Sequence, residues 1–239
     1  MDLPVTYERQ NGVGLITLDD GKLNIMSPEM LSHIHEALDL AEKEAQSVLI
    51  QGRESIFSAG FDLKVFASSP ERSLEMLLSG ARLVQRLLRF KRPVVSLCTG
   101  DAFPMGAFLI MSTDYRIGCD ATYQLGMNET AIGITVPAFA VELARFRLNP
   151  AYFSRVVNNA EMLSPSQALT AGLIDSLEDP EFALHKALQK AESLTKLNAS
   201  AFKETKLKSH ASISNAIEQC IETELTLENL LAQQSVKAR

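Results

Sequence analysis

The sequence predicts an α/β fold in which parallel strands are joined by crossover helices. Two observations carry that expectation. Short apolar or β-branched runs alternate along the chain with longer stretches of helical spacing, in the order strand, helix, strand, helix, strand, helix. The inner runs are apolar without alternation, as strands buried on both faces are, and parallel strands need connections long enough to hold a helix.

Val5–Arg9 and Val13–Leu18 read as the first two strands, joined by the hairpin signal Asn11-Gly12. Ser27 then serves as an N-cap with Pro28 at the first helical position, and Met30, Leu31, Ile34, Leu38 and Ala41 mark the buried face of the helix that follows. Ser47–Gln51 is a short buried strand ending at Gly52. Helical spacing returns over 71–90 through Leu74, Leu77, Leu78, Ala81, Val84, Leu87 and Leu88. Pro93–Cys98 is the next strand, a helix opens at Pro104, and Tyr115–Cys119 is a further strand. Helices follow at about 138–147, 150–159 and 164–171, and a long one runs from Pro180 to about 196. Residues 199–235 lack strand character. Their stripe Ile213, Ile217, Ile221 and Leu225, extended by Leu227, Leu230 and Leu231, predicts an amphipathic pair of helices that covers the core or packs on another subunit.

The totals narrow the function classes. The 239 residues suffice for one large domain with an appendage, and 46% hydrophobic content supports a sizeable core. A net charge of −6 offers no basic face for nucleic acid, and cations for an anionic ligand are local, at Lys64, Lys91 and Arg92. Cys98, Cys119 and Cys220 are odd in number and widely spaced, so they read as reduced, small hydrophobes. The first dozen residues carry neither a basic nor an apolar leader region, and no apolar run approaches a membrane span. The expectation is a soluble, cytoplasmic protein without a metal site. His33, His35, His185 and His210 fall on predicted helices with no ligand-type pairing and read as solvated-face residues.

Three segments carry chemistry. The first, Ser58-Ala59-Gly60-Phe61-Asp62, is either a turn that merely lets elements pack or a place where a backbone amide is left free. The second is Pro104-Met105-Gly106 at a helix start: proline has no N–H of its own, and the amides behind it lack helical partners. The apolar run Ala107–Met111 behind them makes this the positive end of a dry helix. Two such amides meeting at one point would hold an oxyanion, which suggests enolate chemistry rather than phosphate or metal chemistry. The third, Leu125–Ile134, sets Glu129 among apolar residues, where burial would raise its pKa toward that of a base working near neutrality. A helix-start carboxylate is the alternative. Asp62 reads as a local brace for the Gly60 turn, and Asp114-Tyr115-Arg116 as a buried polar contact at a strand start.

With these segments in order, the chain resembles the crotonase, or enoyl-CoA hydratase/isomerase, superfamily over nearly its whole length. FSAGFDLK, GDAFPMGAFLIMSTDYRIG, GMNETAIGITVP and LSPSQALTAGLID stand in family order and spacing. The resemblance implies a spiral of ββα units over 1–196 and a C-terminal helical module over 197–239 that helps form a homotrimer or a pair of trimers. It implies an acyl-CoA thioester as substrate, with coenzyme A the only cofactor-like group, and no metal, flavin or nicotinamide. By motif, the oxyanion donors are the amide of Phe61 and that of Met105 or Gly106. The acyl-CoA passes Lys22, Leu23, Asn24, Ala59, Gly60, Asp62, Leu63 and Phe108.

Departures from the family pattern shape the expected activity. Similar hydratases carry two glutamates; here the first position is Phe108 and only the second, Glu129, is kept, in an Asn-Glu-Thr turn resembling that of Δ3,Δ2-enoyl-CoA isomerases. Syn addition of water usually divides its work between two carboxylates, whereas moving a double bond needs one base on one face. The reading is therefore an isomerase with Glu129 as acid and base. A hydratase or other crotonase reaction such as hydrolysis, and a non-catalytic acyl-CoA-binding protein, are the alternatives.

Overall fold

The computed structural model describes residues 3–237. β1 (Val5–Gln10) and β2 (Val13–Leu18) form the expected antiparallel hairpin. Asn11 and Gly12 turn it at φ 50° and 80°, the positive values that a tight two-residue connection requires. Ser27 Oγ accepts the Met30 N–H and starts α1 (Pro28–Glu44), which buries the foreseen Met30, Leu31, Ile34, Leu38 and Ala41.

The chain continues through β3 (Ser47–Gln51), β4 (Ser55–Ser58), the single turn α2 (Leu63–Phe66) and α3 (Pro70–Leu88). β5 (Val94–Cys98), β6 (Gly100–Ala102), α4 (Pro104–Met111) and β7 (Tyr115–Cys119) follow. A 3₁₀ turn at Thr130–Ile132 then leads to α5 (Ala138–Arg147), α6 (Pro150–Val157) and α7 (Pro165–Ala171). β8 (Ser176–Glu178) and α8 (Ala183–Leu194) precede α9 (Ala199–Ser209), α10 (Ala211–Thr223) and α11 (Leu227–Lys237).

Strand–strand–helix is the repeating unit: β1-β2-α1, then β3-β4 with α2 and α3, then β5-β6-α4. The large sheet has the order β1-β2-β3-β5-β7-β8 and is parallel from β2 onward. The second strands of the later two units leave it and pair parallel with each other as β4–β6. This small second sheet positions the site.

Several elements differ from the sequence reading. β4, β6 and β8 are three or four residues long and exist only by pairing, so no periodicity announces them. α8 begins at Ala183 rather than Pro180, because Asp179 Oδ1 takes the Glu181 amide and the Asp179 carbonyl takes that of Phe182, closing a separate turn first. The C-terminal segment forms three helices, not a pair, broken at His210 and again between Thr223 and Leu227. Ile213, Ile217, Ile221 and Leu225 are buried in the same core as the sheet, with α10 against α3 and α5, so the stripe is used within its own chain.

His210 is corrected from solvated to buried: its Nδ1 lies 2.8 Å from the Leu88 carbonyl and its ring stands edge-on to Phe146. A neighbouring contact also fastens the C-terminal helices. Lys206, 4% exposed, donates from Nζ to Asp114 Oδ2 at 2.7 Å, and the same oxygen accepts the Val94 amide at 2.8 Å. Lys206→Ala strands a partly buried carboxylate and is expected to cost about 3–5 kcal/mol in urea unfolding. An unchanged midpoint would show that the pair contributes nothing to holding α9. Among the described residues, no helix is long and apolar enough to cross a membrane.

Candidate active site

Because β4 and β6 run parallel, the segments after them leave from the same edge. Gln124–Gly126 joins as a third member, the Ala102 amide donating to the Gln124 carbonyl at 2.9 Å and the Gly126 amide to the Ala102 carbonyl at 3.1 Å. The three segments singled out from the sequence therefore emerge side by side.

The first turn is tied to the 18–26 loop. Asn24, fully buried at φ 49°, donates from Nδ2 to the carbonyls of Leu18 and Phe57 at 2.8 and 3.2 Å. Ser58 Oγ donates to the Asn24 carbonyl at 2.7 Å and accepts the Gly60 amide at 3.1 Å. The Ala59 amide meets the Leu23 carbonyl, and the Gly60 carbonyl accepts from Met26. Gly60 turns the chain at φ +88°, a conformation costly for any residue with a side chain. The next amide, that of Phe61, meets no acceptor among the described residues. Asp62 Oδ1 accepts the Lys64 amide at 2.9 Å and caps α2.

In the second segment, the Ala107 amide makes the first intrahelical bond of α4, to Phe103 at 3.0 Å, and Phe103 supplies no capping side chain. The amides of Met105 and Gly106 are left without an acceptor among the described residues. All eight residues of α4 are buried, so the positive end of this helix lies in a dry setting. The two turns touch. A methyl group on Gly60 would lie 3.5 Å from Pro104 N, and the Phe103 amide donates to the Ser58 carbonyl at 2.9 Å.

Glu129 follows the third strand-like member and is 5% exposed. Its own carbonyl receives the amides of Ile132 and Ile134, which folds the chain into the 3₁₀ turn around it. Neither carboxylate oxygen has a hydrogen-bond partner in any other described residue. Burial pushes its pKa up from 4.5 to about 7, its own amide opposing the shift. A buried, unpaired carboxylate poised near neutrality is what a general base in a dry cleft requires.

Glu129 lines a cavity of about 360 Å³ that also touches Ala59, Gly60, Phe61, Leu63 and Pro104. Met105 and Gly106 stand just behind Pro104 and do not line it. Phe108, where a second carboxylate would stand, is fully buried edge-on to Phe139 and is away from the cavity. Lys22 and Leu23 line a separate, open recess with Arg53, Glu54 and Asp101. Asn24 and Asp62 are committed to the contacts already described.

Sequence reasoning missed other wall residues: Phe66, Leu77, Ile132, Ile134 and Thr135, and Glu224, Leu225 and Leu230 from the C-terminal helices. The stripe ending at Leu225 was a signal that this segment is buried, but not of what it covers.

The enoyl-CoA hydratase/isomerase family model matches residues 8–238. A probable enoyl-CoA hydratase of Bacillus subtilis is 30% identical over 68% of this chain, spanning 64% of the relative's own length. An enoyl-CoA hydratase/isomerase family protein of Pseudomonas syringae is 39% identical with a TM-score of 0.91, covering 93% of this chain and 96% of that one. A Mycobacterium tuberculosis protein, described in one structure as an enoyl-CoA isomerase and in another as a probable enoyl-CoA hydratase, is 36% identical with a TM-score of 0.89. The alignment with the first of these two covers 93% of this chain and 97% of that one. Sequence and fold together place this chain in the enoyl-CoA hydratase/isomerase, or crotonase, family.

Proposed function

We propose that the protein is a Δ3,Δ2-enoyl-CoA isomerase in which Glu129 is the single acid and base. One observation carries this reading: Glu129, whose buried carboxylate has no partner in any other described residue, lines the cavity that Phe61 and Pro104 also line. The thioester oxygen sits between the amide of Phe61 and that of Met105 or Gly106. Glu129 takes a proton from C2, the C2–H electron pair moves into the enolate held by the amides, and the same carboxyl returns a proton to C4. The double bond passes from C3–C4 to C2–C3 with no net loss of atoms or electrons. Each amide donor is worth roughly 3–4 kcal/mol of barrier in such a site. The coenzyme A portion runs past Ala59, Asp62 and Leu63 toward Lys22, Leu23 and Asn24, where Lys22 and Arg53 offer positive charge to its phosphates. The family resemblance supports a homotrimer or pair of trimers, to be read by light scattering as three or six times the chain mass.

Hydration is the second reading, favoured by the Bacillus relative and by the presence of another carboxylate, Glu224, on the cavity wall. Against it stands the apolar Phe108 in α4, which leaves no partner glutamate where the family's hydratases keep one. Purified protein given 3-enoyl-CoA should form the conjugated 2-enoyl-CoA, while 2-enoyl-CoA should gain water at a far lower rate. Rapid hydration would replace the isomerase reading with the second. Tight binding without turnover of either substrate would leave an acyl-CoA-binding protein.

A further inference from the structure

Among the described residues, Glu224 is the one charged cavity residue that the double-bond migration does not use. It ends α10 and belongs to the C-terminal segment, which closes the cavity with Leu225 and Leu230. Its Oε2 accepts the Ala138 amide at 2.6 Å, the first residue of the ten-residue α5. That amide fixes the side chain at the start of α5. Its Oε1 has no hydrogen-bond partner among the described residues. The wall is otherwise mostly apolar, with Phe66, Leu77, Ile132, Ile134, Leu225 and Leu230; Asn128, Glu129 and Thr135 are its other polar members.

A plain hydrocarbon chain filling this cavity would strip water from Glu224 Oε1 and give nothing back. A hydroxyl on the chain would restore the lost hydrogen bond, and a bond to a charged acceptor is among the stronger ones. A cationic group would have to lose its whole hydration shell in a mostly apolar cavity, a larger penalty than a hydroxyl faces. Resting on the acyl-CoA reading of the same cavity, we infer that Glu224 is a specificity residue selecting acyl groups that carry a hydroxyl beyond the reacting carbons. Glu224 marks the substrate class as hydroxylated acyl thioesters rather than plain fatty ones.

The test uses unreactive saturated acyl-CoA ligands of one chain length, plain, hydroxylated or keto-substituted beyond C4, with affinities measured by calorimetry. Wild-type protein should bind the best-placed hydroxylated ligand roughly tenfold more tightly than the plain one, and the keto ligand no better than plain. Glu224→Leu should remove the preference and tighten plain-chain binding. Glu224→Gln can still accept the Ala138 amide but offers the cavity an N–H donor, so it should bind the keto ligand better than wild type does. That variant keeps the test informative if the leucine protein fails to fold. Equal wild-type affinity for plain and hydroxylated chains, or a preference surviving in both variants, overturns the inference alone. Failure to bind any acyl-CoA overturns the acyl-CoA reading along with it. Hydration of 2-enoyl-CoA that disappears in Glu224→Gln would show that the residue activates water, and overturns the inference too.

Discussion

Glu129→Gln is expected to lower the rate of double-bond migration at least a hundredfold while leaving the fold intact. Glutamine keeps the shape of the side chain but cannot take a proton from C2, and a positioned acid–base group contributes typically 10²–10⁴-fold. The same substitution has a thermodynamic signature. With the folded-state pKa raised from 4.5 to about 7, the carboxyl is neutral in both states at low pH, and charged in both well above 7. In between, only the unfolded chain ionises, so stability falls as pH rises through that window. The integrated loss is about 3 kcal/mol, fully present above the folded pKa and absent below the unfolded one. Wild type and Glu129→Gln should therefore unfold at similar urea concentrations near pH 4, and the variant should be the more stable at pH 8. A pH-independent difference would mean that Glu129 does not titrate as its burial requires, and undiminished turnover would remove it from the mechanism. In wild type, kcat/KM should rise with pH toward a plateau above about 7, since the ionised form is the base.

Gly100→Ala is expected to have the largest effect on the scaffold. Gly100 pairs with Ser55 where β6 meets β4, and a Cβ there would lie 2.0 Å from the Ser55 carbonyl carbon and 2.2 Å from its oxygen. These are backbone atoms of a paired strand, so no side-chain rotation relieves the clash. A destabilisation of about 3 kcal/mol or more should appear in denaturant unfolding. Activity should fall further than the folded fraction, because the β4–β6 pair is what brings the Phe61 and Met105–Gly106 turns together. Stability within 1 kcal/mol of wild type, together with unchanged kcat, would mean that this pairing does not set the donor geometry.

What the sequence made legible follows a physical rule: features announced by local chemistry were readable, and features created by tertiary pairing were not. Asn11-Gly12 demanded a turn with positive φ, Ser27 and Pro28 opened a helix, and the apolar stripe of α1 lies buried as its spacing required. The unpaired amides and the burial of Glu129 were readable because a proline-led helix start leaves its first amides without acceptors, and a carboxylate set among apolar residues is carried inward with them. β4 and β6 were invisible, since Ser55–Ser58 and Gly100–Ala102 become strands only against each other. His210 looked solvated until α10 folded onto α3 and α5 and set it against Leu88 and Phe146. Glu224 gave no sign at all, lying nearly a hundred residues beyond Glu129 on a wall made by the C-terminal helices.

The most direct test follows a hydrogen atom. A 3-enoyl-CoA carrying two deuterium atoms at C2 should give wild-type product that keeps one at C2 and carries part of the other at C4, because one carboxyl group removes and returns it. Product in which the abstracted deuterium is lost entirely and C4 gains solvent hydrogen alone, or label transfer that persists in Glu129→Gln, would contradict a single carboxyl group carrying the proton.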